Sequence, residues 1–243
     1  MVDLVVFLGN PGRQYALNRH NAGWLFAEAL PFFQALSWQK KYKGSFAQAG
    51  AGFIGSFLSG PDSPPEAGGN PAPEAGIPDP SRKIAFLKPE TFMNVSGEAA
   101  AAAAVFFKLK APSILVVHDE LELPLGAVSL KFAGGLGGHN GLRSLKACLG
   151  SPDFWRLRFG IGRPDDRLPG QGGPPGSGRG IVDWVLSDFG PGEAADLDTA
   201  FARTAPAFMR ALLWGPETLL PAWGKKRLLE SEGPGPQTPA NRS

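Results

Sequence analysis

The chain has 243 residues, 43% of them hydrophobic, enough to bury one substantial core, although the length also permits two small domains. A single cysteine, Cys148, excludes an intramolecular disulfide, and no apolar run approaches the ~20 residues of a membrane-spanning helix. The N-terminal residues Met1 to Leu4 do not lead into a signal-like stretch, so a soluble, cytoplasmic protein is expected.

In chain order, residues 4–8 are an apolar run of strand length. Asn21 is placed to cap a helix in which Ala22, Leu25, Phe26, Ala29, Leu30 and Phe33 recur on one face, with Pro31 kinking or ending it. Residues 46–57 read as a weaker pair of strands broken by glycines, and 84–87 as another strand. The alanine-rich segment 96–109 predicts a helix, after which 114–117 returns to the sheet. Strands are predicted at 128–132 and 155–161, separated by a Gly-rich loop and a helix over 140–149, where Cys148 is assigned to the core. A last helix is predicted over 192–214. The alternation gives an α/β fold with a mixed twisted sheet flanked by helices, and the motif spacing favours a single domain over 1–230. Segments 59–80 and 164–180 are about half glycine and proline or more, and cannot repay their ordering through apolar burial. They are expected as flexible surface insertions, and 231–243 as a disordered tail.

Chemistry-bearing residues come directly after two of the strands. The first leads into Asn10-Pro11-Gly12 and on to His20-Asn21, and the strand at 114–117 leads into His118-Asp119-Glu120. In an open α/β sheet such residues converge at the carboxyl ends of the strands. A histidine oriented by an aspartate is the minimal apparatus for activating a water. The Gly-rich loop 134–141 fits neither the dinucleotide fingerprint nor a phosphate-binding loop ending in Gly-Lys-Ser/Thr. Its glycine amides lead into a helix N-terminus, which suits an anion; a plain flexible connection is the alternative. From 131 to 163 the cations Lys131, Arg143, Lys146, Arg156, Arg158 and Arg163 face one acid, Asp153. That local excess is the footprint of a phosphate backbone, unless Arg156 and Arg158 merely line the solvent face of a strand.

Four segments together carry a family resemblance. Leu8-Gly9-Asn10-Pro11-Gly12 with Tyr15 and Arg19-His20-Asn21, Lys88 to Gly97, His118 to Gly126, and Gly137-Gly138-His139-Asn140-Gly141-Leu142 resemble bacterial peptidyl-tRNA hydrolase in order and spacing. The resemblance implies a compact α/β enzyme, monomeric, without metal or other cofactor and without a stable protein partner. It would cleave the ester joining a peptide to the 3′ end of tRNA, recycling tRNA from stalled translation. It implies His20 as the catalytic base, Asp119 as its partner, and Asn10, Asn94 and Asn140 as groups that position substrate and water. Tyr15, Met93 and Phe92 would supply apolar walls, although Met93 and Phe92 read equally well as core. Lys131, Arg143 and Arg158 fall at or near basic positions of the family and are implied as tRNA contacts. The chain departs from the family pattern at Phe7 and Asn18, where a glycine and a threonine are usual, without removing a catalytic group.

Two other readings remain. An RNA-binding scaffold of the same fold would keep the basic face without turnover. A metallohydrolase using His20, His118, His139 and Asp119 is disfavoured, since no ligand-motif spacing is present and His118 should point away from its strand neighbour Asp119. His118 is expected as a packed strand-end residue and His139 as a locally bonded loop-to-helix residue.

Overall fold

Strand β1 (Leu4–Phe7) is apolar throughout because both faces of its sheet are covered. Val5 and Phe7 join one core cluster, while Leu4, Val6 and the adjoining Leu8 join the other. The computed structural model describes residues 1–58, 76–164 and 178–220. After β1 come α1 (Ala22–Ala29), β2 (Gln39–Lys41), β3 (Gly44–Gly50), α2 (Ala51–Ser56), β4 (Lys83–Pro89), α3 (Ser96–Phe106) and β5 (Ile114–Glu120). The remainder is β6 (Val128–Phe132), α4 (Asn140–Leu149), β7 (Trp155–Gly160), α5 (Gly178–Val185) and α6 (Pro191–Trp214).

The sheet has seven strands in the order β2-β3-β4-β1-β5-β7-β6. β4, β1, β5 and β7 run parallel, while β3 pairs antiparallel with β4, β2 with β3, and β6 with β7. The fold is thus the single mixed α/β domain expected. Phe26 of α1 and Phe201 and Phe208 of α6 pack on one face, where the Phe26 ring centre lies 5.2 Å from that of Phe208, edge to face, and 4.8 Å from that of Phe159, tilted. Ala99, Ala100 and Ala103 of α3 and Leu142 and Leu145 of α4 cover the other. The helix after β1 therefore lies on one face and the helix after β4 on the opposite face. Between those strands lies the crevice in which open α/β sheets build their sites.

Several elements depart from the sequence reading. Pro31 ends α1 as expected, leaving Leu30 extended, and 33–35 forms a separate 3-10 turn. Residues 46–57 hold one strand and then α2, whose buried Ala51, Ile54 and Gly55 have helical rather than alternating spacing. The two-residue turn between β2 and β3 places Tyr42 (φ 52°) and Lys43 (φ 55°) in the left-handed region without the usual glycine or asparagine, so the hairpin carried no turn signal. Cys148 is exposed rather than in the core, because α4 buries residues of its first two turns only. Arg156 is buried, donating to the Gly135 carbonyl at 2.7 Å, and does not line an open strand face. Residues 59–75, 165–177 and the tail 231–243 lie outside the described residues. From the edges of the expected insertions, Ile77 packs against Gly55 and the core, and 178–180 begin α5.

Candidate active site

Three neighbouring parallel strands end on one edge of the sheet, and each contributes a side chain there. Asn10 comes after β1, the 3-10 turn Met93–Val95 comes after β4, and Asp119 closes β5. Gly23 lets the first turn of α1 press onto this edge: a Cβ there would lie 2.5 Å from the Val117 carbonyl oxygen and 2.6 Å from that of Leu8. The same approach brings in the buried 3-10 turn Arg19–Asn21 with His20.

Asn21 does not cap α1 through its side chain. Its Oδ1 instead accepts from the Asn10 amide N–H at 2.8 Å, and its Nδ2 donates to the Asn10 carbonyl at 3.1 Å. Asn10 Oδ1 accepts from the Met93 backbone N–H at 2.8 Å, so the ends of β1 and β4 are pinned together and Asn10 Nδ2 is the group left to donate.

His20 Nδ1 donates to Asp119, 2.9 Å from Oδ1 and 3.0 Å from Oδ2, which leaves Nε2 as the acceptor. Burial works against a protonated His20, but the charge and hydrogen bond of Asp119 raise its pKa above the usual imidazole value. Burial would likewise raise Asp119, yet the two imidazoles beside it hold it well below the usual carboxylate range. The second imidazole is His139, whose Nε2 lies 3.0 Å from Asp119 Oδ1. His139 caps α4: its Nδ1 accepts from the amides of Gly141 at 3.1 Å and Leu142 at 3.4 Å. Those helix amides can only donate, so the His139 proton sits on Nε2 and points at the carboxylate. The helix terminus thereby sets the tautomer of His139, the carboxylate sets that of His20, and His20 is left with a free Nε2 lone pair. Sequence reasoning found the local bonding of His139 and missed its bond to Asp119, since capping geometry across a glycine loop leaves no spacing signal. Gly137 (φ 57°) and Gly138 (φ 76°) supply the left-handed backbone that folds this loop back over the site.

His118 is the packed strand-end residue expected, with Nδ1 donating to the Asp119 carbonyl at 2.6 Å. Burial, together with His139, pushes its pKa well below the usual imidazole value. His20, Asp119 and His139 bring potential metal-ligand atoms within 4.8 Å of one another. Their hydrogen bonds commit those atoms to each other and to the α4 amides, so a metal there would have to displace them.

Two cavities open on either side of His20. One, of about 300 Å³, is lined by Asn10, Tyr15, Phe92, Met93 and Asn94; Tyr15 and Phe92 meet edge to face at 6.5 Å. The other, of about 340 Å³, is lined by His118, Asp119, Glu120, the 137–139 loop, Arg143 and Arg163. His20, Asn140, Val182 and Val185 belong to both, so α5, which the sequence reading omitted, walls the site. Met93 is buried in the core and also reaches the first cavity, whereas Phe92 and Asn94 are exposed at its rim. Among the expected tRNA contacts, Arg143 is exposed and Lys131 half-buried. Arg158 bonds Glu120 at 3.3 Å and Ser129 at 2.9 Å.

The chain is similar to known proteins in sequence and in fold. Residues 4–227 match the family model described as peptidyl-tRNA hydrolase. The peptidyl-tRNA hydrolase of Treponema pallidum (strain Nichols) is 42% identical over 231 residues, covering 94% of this chain and 97% of the relative. That of Neisseria gonorrhoeae (strain NCCP11945) is 43% identical over 206 residues, covering 85% and 88%. The crystal structure of peptidyl-tRNA hydrolase from Acinetobacter baumannii superposes with a TM-score of 0.69 at 28% identity, covering 93% of this chain and 96% of that one. On this match the chain belongs to the peptidyl-tRNA hydrolase family.

Proposed function

We propose that this chain hydrolyses the ester between a peptide and the 3′ end of tRNA, with His20 as the general base. The observation that carries this is the His20–Asp119 pair, with Nε2 unengaged at the junction of the two cavities. His20 Nε2 takes a proton from water as the water oxygen adds to the ester carbonyl carbon. Asp119 stabilises the imidazolium that forms, and the Asn10 and Asn140 amides donate to carbonyl oxygens without adding charge. The adduct collapses with cleavage of the bond to the ribose oxygen, which takes the proton from His20. The products are a peptide acid and a tRNA with its hydroxyl restored.

The cavity lined by Asn10, Tyr15, Met93 and Asn94 takes the peptide, with Tyr15, Phe92 and Met93 as apolar walls and Asn94 at the rim. The tRNA end lies on the other side, beneath the loop leading to Asn140 and Arg143. Lys131 and Arg143 meet phosphates. Arg158 does so only by exchanging its Glu120 partner. Among the described residues no helix is long and apolar enough to cross a membrane. We read the enzyme as monomeric, cytoplasmic and independent of metal and cofactor. The test is release of an N-acylated amino acid from N-acyl-aminoacyl-tRNA. Release is expected, with free aminoacyl-tRNA the poorer substrate; a chain that binds tRNA without turnover would instead be the RNA-binding scaffold.

A further inference from the structure

Arg19, the residue before His20, is buried although charged, and it lines neither cavity beside His20. Its Nη1 donates to Ser187 Oγ at 2.6 Å and to the Asp188 carbonyl at 2.6 Å, and its Nη2 to Glu193 Oε2 at 2.6 Å. The guanidinium carbon lies 3.8 Å from the centre of the Trp184 ring. The backbones are joined as well: Arg19 N–H donates to the Ser187 carbonyl at 3.0 Å, and Phe189 N–H to that of Leu17 at 3.3 Å. Asn18 bridges antiparallel to Asp188, and its side chain donates to the Leu186 carbonyl. The catalytic turn and the end of α5 are therefore one fastened unit, and α5 carries Val182 and Val185, which wall both cavities.

A planar fork that stacks on an indole while bonding three acceptors is a task for arginine, because an ammonium is a point charge without a flat face. Burying a charge for cohesion alone is a poor choice against an apolar residue of similar volume. We propose that Arg19 is a positioning residue, holding His20 in register with the α5 wall so that the ester is presented to Nε2. Ester hydrolysis at His20 requires no guanidinium at this place, and none of the contacts above reaches the reacting atoms. The inference rests on the proposed role of His20.

The open flank of Arg19 is a separate cavity of about 530 Å³, lined by Asp183, Trp184, Ser187, Asp188, Gly190 and Glu193, through which a small cation can enter. The test is Arg19→Ala with and without ethylguanidinium, measured well below its melting temperature with native circular dichroism as the folding criterion. A misplacement of about 1 Å can cost up to about a hundredfold in rate. The expected result is a fall in kcat of about tenfold or more with KM changed less than threefold, restored in part by ethylguanidinium and not by ammonium. The His20 Nδ1–H proton resonance should shift in the variant and return with the guanidinium, a readout independent of turnover. A parent protein that does not hydrolyse the ester while this resonance shifts would sink the function and keep the positioning role. A folded Arg19→Ala protein with kcat and resonance unchanged, or with a loss that ethylguanidinium does not relieve, overturns the inference. Should Arg19→Ala not fold, Ser187→Ala decides: it deletes one hydroxyl acceptor, and an unchanged resonance and kcat would count against the proposal.

Discussion

Replacing Asp119 by asparagine keeps the shape of the side chain and removes the charge that the whole site is arranged around. In the native site Oδ1 accepts from both His20 and His139, and Oδ2 lies 3.0 Å from His20 Nδ1. With the amide oxygen kept at the Oδ1 position, the new Nδ2 donor faces the Nδ1–H donor of His20; turning the amide over sets it against His139 as well. One imidazole must tilt or exchange its proton, and in either case His20 Nε2 is no longer held as an aimed lone pair. A charge-assisted hydrogen bond contributes about 1.5–3 kcal/mol, and the lost attraction for the imidazolium adds a comparable amount at an effective dielectric near 20. At 1.4 kcal/mol per tenfold, about 3–6 kcal/mol predicts a fall in the plateau rate of roughly 10²–10⁴. The pH profile adds a sign. His20 must be neutral to act, and Asp119 raises its pKa, so the native rate falls on the acid side at a pH above the ordinary imidazole value. Without the carboxylate, burial alone acts on the ring and lowers its pKa, so the acid limb should move to lower pH while the plateau drops. Single-turnover hydrolysis of N-acyl-aminoacyl-tRNA from pH 5 to 9 reads both quantities. A plateau within threefold of the parent, or a limb moving to higher pH, would refute the reasoning.

His139→Ala should lower the rate by less than Asp119→Asn, since His20 keeps its own bond to the carboxylate. It should also destabilise α4 by about 1 kcal/mol through the lost cap, read as a fall in melting temperature. Arg143→Ala should weaken different tRNAs about equally and flatten the salt dependence of binding by about one counterion, as titrations at several ionic strengths would show; a change confined to the chemical step would contradict the phosphate assignment. Prolonged chelation and dialysis should leave activity unchanged, because the ligand-like atoms of His20, Asp119 and His139 already bond one another; loss reversed by zinc would show otherwise.

Where local pattern decides structure, the sequence was legible. Unbroken apolar residues at 4–8 and 114–117 announced strands covered on both faces, and parallel strands deliver the residues that follow such runs to one edge, which is why Asn10, His20 and Asp119 converge. Alanine content located α3, and the proline at 31 located the end of α1. The hidden features depend on long-range partners or on backbone conformations that the residue types do not advertise. The β2–β3 turn uses Tyr42 and Lys43 at positive φ, and α2 comes after glycines that suggested broken strands. The α5 helix begins inside a stretch whose glycine content argued for a loop, so neither the wall of the site nor its fastening to Arg19 was visible. Asn21 has the composition of a helix cap, yet its side chain serves Asn10, a choice fixed only once β1 and the catalytic turn are side by side. Arg156 shared a basic run with exposed cations, and only strand pairing turns it beneath the Gly-rich loop.

The most direct test of His20 as the base is the single-turnover rate of His20→Ala on N-acyl-aminoacyl-tRNA, alongside tRNA affinity measured with the same preparation. Removing a general base costs about 10²–10⁴-fold, and His20 lies at the shared wall of both cavities rather than among the basic residues assigned to phosphates. The expected result is a rate lowered by that factor with tRNA affinity within about threefold of the parent. Turnover at the parent rate, or a loss explained wholly by weaker tRNA binding, would contradict the account.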